Sequence, residues 1–114
     1  MGRRPSGLPG RGLVVRPIHL APLDKTRPVV VLTRAHAIGR LSTVTVAPIT
    51  STIHGLATEV AVGAANGLDH DSVINLDNVY TIRSDRLGRQ VGCLHDEQEP
   101  GLRAALVRAF DLQD

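Results

Sequence analysis

Two side chains with complementary chemistry lie at the ends of apolar runs. Arg27 stands directly before PVVVL at residues 28–32, and Thr50 stands directly after VTVAPI at residues 44–49. A guanidinium offers planar, paired donors to phosphate oxygens, and a hydroxyl can bind the same group. Neighbouring antiparallel strands would bring both to one phosphodiester. Each also has an ordinary explanation, Arg27 as an exposed residue before a strand and Thr50 as a turn residue bonded to its own backbone. The two residues taken alone favour that explanation.

The five histidines and the one cysteine form no metal-ligand pattern in the sequence. HxH and HExxH spacings are absent, and His70-Asp71 resembles half of a metal-hydrolase HD pair without a second cluster. His36 and His54 lie in predicted loops beside the pair, where a solvated histidine is the default. Cys93 follows apolar residues and is expected to be an inert core residue. We therefore predict no metal and no cofactor.

The apolar pattern predicts short strands along most of the chain. The β-branched run at residues 28–33 is apolar on both faces, which favours a central strand, and the alternation at 42–49 predicts a half-buried strand ended by Pro48. Pro17 predicts that residues 14–20 form an edge strand, because proline cannot donate to a central ladder. Further strands are expected at 57–62, 72–76, 78–82 and 89–94, joined by turns.

The chain is expected to close with one helix near residues 99–112, with Pro100 in its first turn. Its predicted apolar stripe consists of Leu102, Ala105, Leu106, Ala109 and Phe110. Six or seven short strands followed by one helix indicate a mainly β (α+β) fold. The expected architecture is a strongly bent sheet or partly open barrel with the helix packed on it.

Length and charge limit the classes of function. At 114 residues the chain should form one domain, with an active site that is shallow or completed by another subunit. Of its 13 basic residues, three lie in the first 14 positions, so the remaining chain carries 10 basic and 11 acidic residues. The net charge therefore says little about a partner. Tyr80 and Phe110 are the only aromatic residues, which argues against base stacking on a ring platform.

Residues 1–14 mix Gly, Pro, Ser and Arg, and they are expected to form a disordered extension before one domain at 15–114. The alternative is that Val15 is the true first residue and the preceding stretch is mis-annotated. No run of about 20 apolar residues is present, so no membrane span is expected, and the N-terminal segment lacks the features of a secretory signal. The single Cys93 is consistent with a reducing cytoplasm as the location.

Four segments in order resemble the MazF/PemK/Kid family of bacterial toxins. They are KTRPVVVL at 25–32, VTVAPITS at 44–51, GLDHDSVINLDN at 67–78, and the stretch with TI at 81–82, LG at 87–88 and VG at 91–92. The resemblance covers roughly residues 16–112 and is greatest to mycobacterial MazF toxins with a short first loop. Here only about six residues, between Leu20 and Arg27, remain for that loop. The usual family opening, RGD followed by Val or Ile and Trp, is absent.

The resemblance implies an SH3-like barrel of the CcdB/Kid type and a symmetric homodimer. It also implies the toxin of a type II toxin–antitoxin system, which cleaves single-stranded mRNA, tRNA or rRNA at specific sequences without metal, through attack by the 2′-hydroxyl. This inhibits translation and growth. The partner would be a MazE-like antitoxin whose extended tail occupies the RNA site. Arg27 and Thr50 match the family's essential arginine and threonine, which reverses the preference for their ordinary explanations.

Four further residues are candidate RNA contacts. Asp24, Lys25 and Ser51 flank the catalytic pair, although solvated loop residues would look the same. Asp77 lies in the matched segment and is a candidate salt-bridge partner of Arg27, with turn capping as the alternative. The alternative function is a non-catalytic toxin on the same fold, like CcdB, which binds DNA gyrase. A plain SH3-like peptide-binding module is a weaker option, because such grooves are usually aromatic-lined.

Overall fold

A computed structural model describes residues 15–113, so the predicted extension at 1–14 lies outside the described residues. The strands are β1 (Arg16–Pro22), β2 (Thr26–Val31), β3 (Thr43–Thr50), β4 (Glu59–Val62), β5 (Ser72–Asn75), β6 (Tyr80–Arg83) and β7 (Gln90–Leu94). A helix, α1 (Glu99–Ala109), follows them. Short 3₁₀ turns at Ala35–Ala37, Ala64–Asn66, Ser84–Arg86 and Asp96–Gln98 fill several connections.

Six of the seven strands pair in the order β4-β5-β3-β2-β1-β7. The remaining strand, β6, lies off this path and pairs with β3. Every pairing is antiparallel. β3 is the longest strand, because its first half pairs with β6 and its last two residues pair with β5. The sheet is therefore curled around β3 into a half-barrel with one C-terminal helix, which confirms the predicted mainly β fold.

β2 separates two hydrophobic clusters, as expected for a strand that is apolar on both faces. Val30 belongs to the cluster under α1, with Ile18, Ala47, Ile49, Val60, Val62, Ile74, Leu76, Leu94, Leu102 and Ala105. Val29 and Val31 face the other side, with Ala21, Val44 and Val46. β2 thus lies in the middle of the sheet, between β1 and β3, and the predicted central position is confirmed.

The prediction that β1 is an edge strand is wrong. β1 lies between β2 and β7, and Pro17 is opposite Cys93 of β7. The pairing of β1 with β2 begins only at Ile18, opposite Val30, so Pro17 has no paired residue in β2 that would require its missing N–H group. A proline is tolerated in this interior strand because the pairing of β1 with β2 stops one residue short of it.

β1 and β2 form a hairpin whose connection is only three residues long, Leu23–Lys25, since both strands extend into the predicted loop. The backbone N–H of Leu23 donates to the carbonyl of Lys25 at 3.0 Å. The short first loop expected from the sequence is therefore shorter still. It places Asp24 three residues before Arg27 on a tight turn.

The helix ends three residues earlier than predicted, at Ala109. Leu102 and Ala105 are buried and Leu106 and Ala109 pack partly against the core, but Phe110 is 51% exposed. Phe110 has left the helical conformation, so it does not continue the apolar stripe. No helix within residues 15–113 has the length and apolar character needed to cross a bilayer.

We expect Arg16→Ala to destabilise the fold by about 1.5–3 kcal/mol, the range for hydrogen bonds that involve charged groups. Arg16 joins α1 to the sheet: its Nε and Nη2 donate to Glu99 at 2.7 and 3.1 Å, and its Nη1 donates to the Leu32 carbonyl at 3.0 Å. Urea unfolding measures the effect. The matched control is Arg83→Ala, because Arg83 pairs with Asp85 where both side chains are largely exposed, and its loss should cost about 0–1 kcal/mol. Equal midpoints for the two variants would contradict the role of Arg16.

Candidate active site

Arg27 and Thr50 lie at the same end of two paired strands. Arg27 is the second residue of β2, and Thr50 is the last of β3. The nearest paired residues are Val29 and Pro48, and each candidate lies two residues beyond one of them towards the same end of the sheet. Because side chains alternate along a strand, Arg27 shares a face with Val29, and Thr50 shares a face with Pro48. The register therefore brings the two candidates to one face, as the sequence predicted.

Asp24 holds the Arg27 side chain through two parallel hydrogen bonds. Nε of Arg27 donates to Oδ1 at 3.0 Å, and Nη2 donates to Oδ2 at 2.9 Å. The Arg27 side chain is 21% exposed, whereas that of Asp24 is 66% exposed. Such a fork-to-fork pair fixes the plane of the guanidinium. The short turn between β1 and β2 thus orients the arginine that begins β2.

The ion pair also fixes the charge of both groups. The hydrogen bond from Arg27 lowers the pKa of Asp24 from 3.8 to about 2, and the same bond raises the pKa of Arg27. A carboxyl whose pKa is lowered on folding stabilises the fold above its unfolded pKa, and it loses that contribution as the pH falls from about 3.8 through about 2. The pair consequently remains ionised at physiological pH.

Arg27 keeps donors for a ligand after binding Asp24. A guanidinium has five N–H groups in a planar fork, and Asp24 engages Nε and Nη2. Nη1 and the second hydrogen of Nη2 are left on the far edge of the plane. A phosphate oxygen can therefore be bound there without breaking the ion pair.

Thr50 accepts a hydrogen bond from the backbone N–H of Thr52 at 3.1 Å. This is the local backbone contact that the ordinary explanation anticipated. It uses an oxygen lone pair only, so the hydroxyl hydrogen is still available to donate. Backbone capping and ligand binding by Thr50 are compatible.

A first hollow, with a volume of about 330 Å³, opens beside the pair. Its lining residues are Leu23, Asp24, Arg27, Pro48, Thr50, Thr52, His54, Asn75, Asn78 and Tyr80. Three of the polar lining residues, Asp24, Arg27 and Thr50, were predicted as contacts, whereas His54 was expected to be solvated. Asn75 and Asn78 were not predicted as site residues, although they flank Asp77 in the NLDN segment that matches the family. No pattern in the sequence around Tyr80 marked it as a residue of the site.

A second hollow, with a volume of about 400 Å³, lies on the other side of the pair. Its lining residues are Lys25, Thr26, Arg27, Pro28, Ile49, Thr50, Ser51, Thr52, Leu68, Asp69, His70 and Ser72. Two further predicted contacts, Lys25 and Ser51, are among them. Arg27, Thr50 and Thr52 line both hollows, so they form the wall between them. A polynucleotide that crosses this wall would place one phosphodiester against Arg27 and its flanking nucleotides in the hollows.

Asp77 does not take the predicted position beside Arg27, because the salt bridge of Arg27 is formed with Asp24. Asp77 accepts a hydrogen bond from the Thr58 hydroxyl at 2.6 Å, and its backbone N–H donates to Oδ1 of Asn75 at 3.0 Å. The turn after β5 aims the carboxylate at the end of the loop between β3 and β4. The turn is capped by the Asn75 side chain, so Asp77 neither pairs with Arg27 nor caps its own turn.

Among residues 15–113, no three His, Cys, Asp or Glu side chains are grouped so that they could hold a metal ion. His70 lines the second hollow, whereas Asp71 is its exposed neighbour near Gly63. The site offers a fixed guanidinium, Lys25, hydroxyls and amides, beside two imidazoles and the carboxylates of Asp24 and Asp69. The guanidinium, Lys25, the hydroxyls and the amides are donors suited to binding an anion.

The chain and its site have counterparts among known proteins. A family model described as PemK-like, MazF-like toxin of type II toxin-antitoxin system matches residues 18–110. Endoribonuclease MazF3 of Mycobacterium tuberculosis is 56% identical over 98 residues, which cover 86% of this chain and 95% of that protein. The solved Mycobacterium tuberculosis toxin MazF-mt6 has a TM-score of 0.85 and 56% identity, covering 87% of this chain and 100% of that one. An endoribonuclease from a mycobacterial species, solved in complex with its cognate antitoxin, shares the fold with a TM-score of 0.77 at 24% identity, covering 94% of this chain and 99% of that one.

Proposed function

This chain belongs to the family of PemK-like, MazF-like toxins of type II toxin–antitoxin systems, and from that premise we propose that it is a metal-independent endoribonuclease. Its substrate is single-stranded RNA, and cleavage inhibits translation and growth. The toxin domain corresponds to residues 15–114, and its place of action is the cytoplasm, where RNA is translated. The relative with 56% identity carries the name endoribonuclease, so a non-catalytic toxin that binds DNA gyrase is not favoured.

One observation carries the proposal: Arg27, oriented by Asp24, and Thr50 lie in the wall shared by two hollows. Cleavage of RNA by its own 2′-hydroxyl needs an in-line arrangement across one phosphodiester, neutralisation of the charge on the phosphorane, and a proton for the leaving oxygen. Binding the nucleotides on both sides of the phosphate aligns the attacking and leaving oxygens. The two hollows provide one binding place for the nucleotide on each side of the phosphate.

In the proposed reaction the 2′-oxygen forms a bond to phosphorus and passes its proton to a phosphoryl oxygen, and the bond from phosphorus to the 5′-oxygen breaks. The free N–H groups of Arg27 bind the phosphoryl oxygens as their negative charge grows. Thr50 donates its hydroxyl hydrogen to the phosphate or relays a proton towards the 5′-oxygen, which leaves protonated. The products are a 2′,3′-cyclic phosphate and a 5′-hydroxyl. Asp24 acts by orienting Arg27, while Lys25 and Ser51 contact RNA in the second hollow.

We propose a MazE-like antitoxin as the partner, with a tail that covers the same wall and so blocks RNA. The toxin acts as a homodimer. The described chain leaves large apolar side chains exposed, among them Ile53, Leu56, Phe110 and Leu112, each more than half accessible. Apolar surface of this kind is typical of faces that a second copy or another protein covers.

Purified protein is expected to cut single-stranded RNA in the presence of EDTA, because the proposed site uses a guanidinium and a hydroxyl in place of a metal. The 5′ ends of the fragments should accept phosphate directly from polynucleotide kinase, without prior phosphatase treatment, since they carry a 5′-hydroxyl. Mapping those ends also identifies the cleaved sequence. A cutting activity that EDTA abolishes and Mg²⁺ restores would contradict the proposal.

A further inference from the structure

The loop that follows Thr50 is exposed to solvent along most of its length. Residues 51–57 are all exposed, and residues 52–56 have no regular secondary structure. The loop also contains Gly55 at φ +73°, a left-handed conformation that other residues adopt at a cost. Packing against the core therefore cannot hold this segment in one conformation. Within this chain, specific hydrogen bonds hold it.

The carboxylate of Glu59 supplies these bonds. Its Oε1 accepts from the backbone N–H groups of His54, Gly55 and Leu56 at 3.2, 2.8 and 3.1 Å, and its Oε2 accepts from His54 at 3.3 Å. In return, the backbone N–H of Glu59 donates to the Leu56 carbonyl at 3.1 Å. One side chain at the start of β4 thus satisfies three consecutive N–H groups at the tip of the loop.

This loop also forms part of the active site. Thr52 lines both hollows and His54 lines the first, while the N–H of Thr52 bonds the hydroxyl oxygen of Thr50. At its far end, the hydroxyl of Thr58 donates to Asp77 at 2.6 Å. The loop is consequently fastened at Thr50, at Asp77 and, through its tip, at Glu59. Between these points, the loop presents the side chains of Thr52 and His54 to a ligand in the first hollow.

We propose that Glu59 is a positioning residue for RNA cleavage, which holds the loop at residues 51–58 so that Thr52 and His54 meet the substrate. The inference rests on the proposed ribonuclease function. Glu59 itself faces the loop backbone and is absent from the linings of both hollows. Without its carboxylate the loop samples many conformations, and RNA must select the competent one. The loss falls on substrate binding more than on the chemical step, because Arg27, Asp24 and Thr50 keep their own contacts.

The test compares Glu59→Ala with Glu59→Gln and with Glu97→Ala. Glutamine keeps an oxygen that can accept the three N–H bonds, and Glu97 is an exposed carboxylate outside both hollows. The substrate is a fluorophore- and quencher-labelled oligoribonucleotide that spans a cut site mapped with the wild-type protein. We expect Glu59→Ala to raise KM at least about tenfold with kcat changed less than about threefold. Glu59→Gln should stay within about threefold of wild type and Glu97→Ala should match it.

Amide exchange measured by NMR gives a readout that does not depend on cleavage. The N–H groups of His54, Gly55 and Leu56 should exchange faster in Glu59→Ala alone, while the β-sheet amides keep their protection. Unchanged KM, or unchanged exchange at these three amides, would overturn the inference. A KM that rises equally in Glu59→Gln would also do so, because an acceptor in the same place would then be insufficient. If wild-type protein fails to cut any RNA, the ribonuclease proposal falls, whereas the exchange data still decide whether Glu59 holds the loop.

Discussion

Arg27→Ala is expected to lower kcat/KM for RNA by about 1,000-fold or more while the protein stays folded. The guanidinium is the group proposed to neutralise the charge that grows on the phosphoryl oxygens, and comparable arginines and oxyanion donors contribute factors of about 10² to 10⁵. The fold should tolerate the change, because Arg27 pairs on the surface with an Asp24 side chain that is 66% exposed. Steady-state cleavage of the labelled oligoribonucleotide, together with circular dichroism and a thermal melt, measures both effects.

Arg27→Lys separates charge from geometry. A lysine keeps the positive charge but cannot form the planar pair with Asp24 and still present a fork to phosphate, so a loss of about 10- to 100-fold is expected. Arg83→Ala is the matched control, since Arg83 is an exposed arginine at the other end of β6 from Tyr80 and should leave cleavage unchanged. A folded Arg27→Ala protein that cuts as fast as wild type would show that the catalytic assignment is wrong.

A substrate with a single 2′-deoxynucleotide on the 5′ side of the scissile phosphate is expected to resist cleavage there by at least about 10⁵-fold, because the intramolecular nucleophile is gone. In the proposed mechanism Arg27 and Thr50 bind the phosphate, and the attacking oxygen comes from the substrate itself. Gel analysis of end-labelled oligonucleotides measures the remaining rate.

The control for this experiment moves the deoxynucleotide to the next position along the chain, which should affect cleavage at the original site only modestly. The control substrate loses at most one hydroxyl that contacts the protein, whereas the 2′-hydroxyl that attacks the phosphorus is still present. Cleavage of the first substrate with a 5′-phosphate product would mean that water attacks the phosphorus. Arg27 and Thr50 could then still bind the phosphate, but the nucleophile would be water and not the 2′-hydroxyl.

The strand pattern and the helix could be predicted from the sequence because they depend on local periodicity. The β-branched run in β2 is apolar at every position, so its central place followed from composition alone. The motif order from 25–32 to 91–92 predicted the family, and the family model that matches residues 18–110 confirms it. The convergence of Arg27 and Thr50 also followed, since residues at facing ends of paired antiparallel strands meet.

The partners of each side chain could not be predicted in the same way. Pro17 indicated an edge strand, but β1 lies inside the sheet, and the proline is tolerated because the pairing of β1 with β2 stops at Ile18. Asp77 was a candidate partner for Arg27, and the turn of the β1–β2 hairpin supplies Asp24 in its place. Strand order and turn geometry decide these contacts, and neither is encoded in local periodicity.

The sequence by itself determined most of the secondary-structure elements, the family and the two residues proposed for catalysis. The spacing of apolar residues and the order of motifs can both be read from the linear sequence. Only the tertiary structure decided that Arg27 is oriented by Asp24, that Asn75, Asn78 and Tyr80 share its hollow, and that Glu59 holds the loop carrying Thr52. Each of these depends on which strand ends and loops are brought together when the sheet curls. That arrangement is set by the summed burial of both hydrophobic clusters, which no short segment of the sequence records.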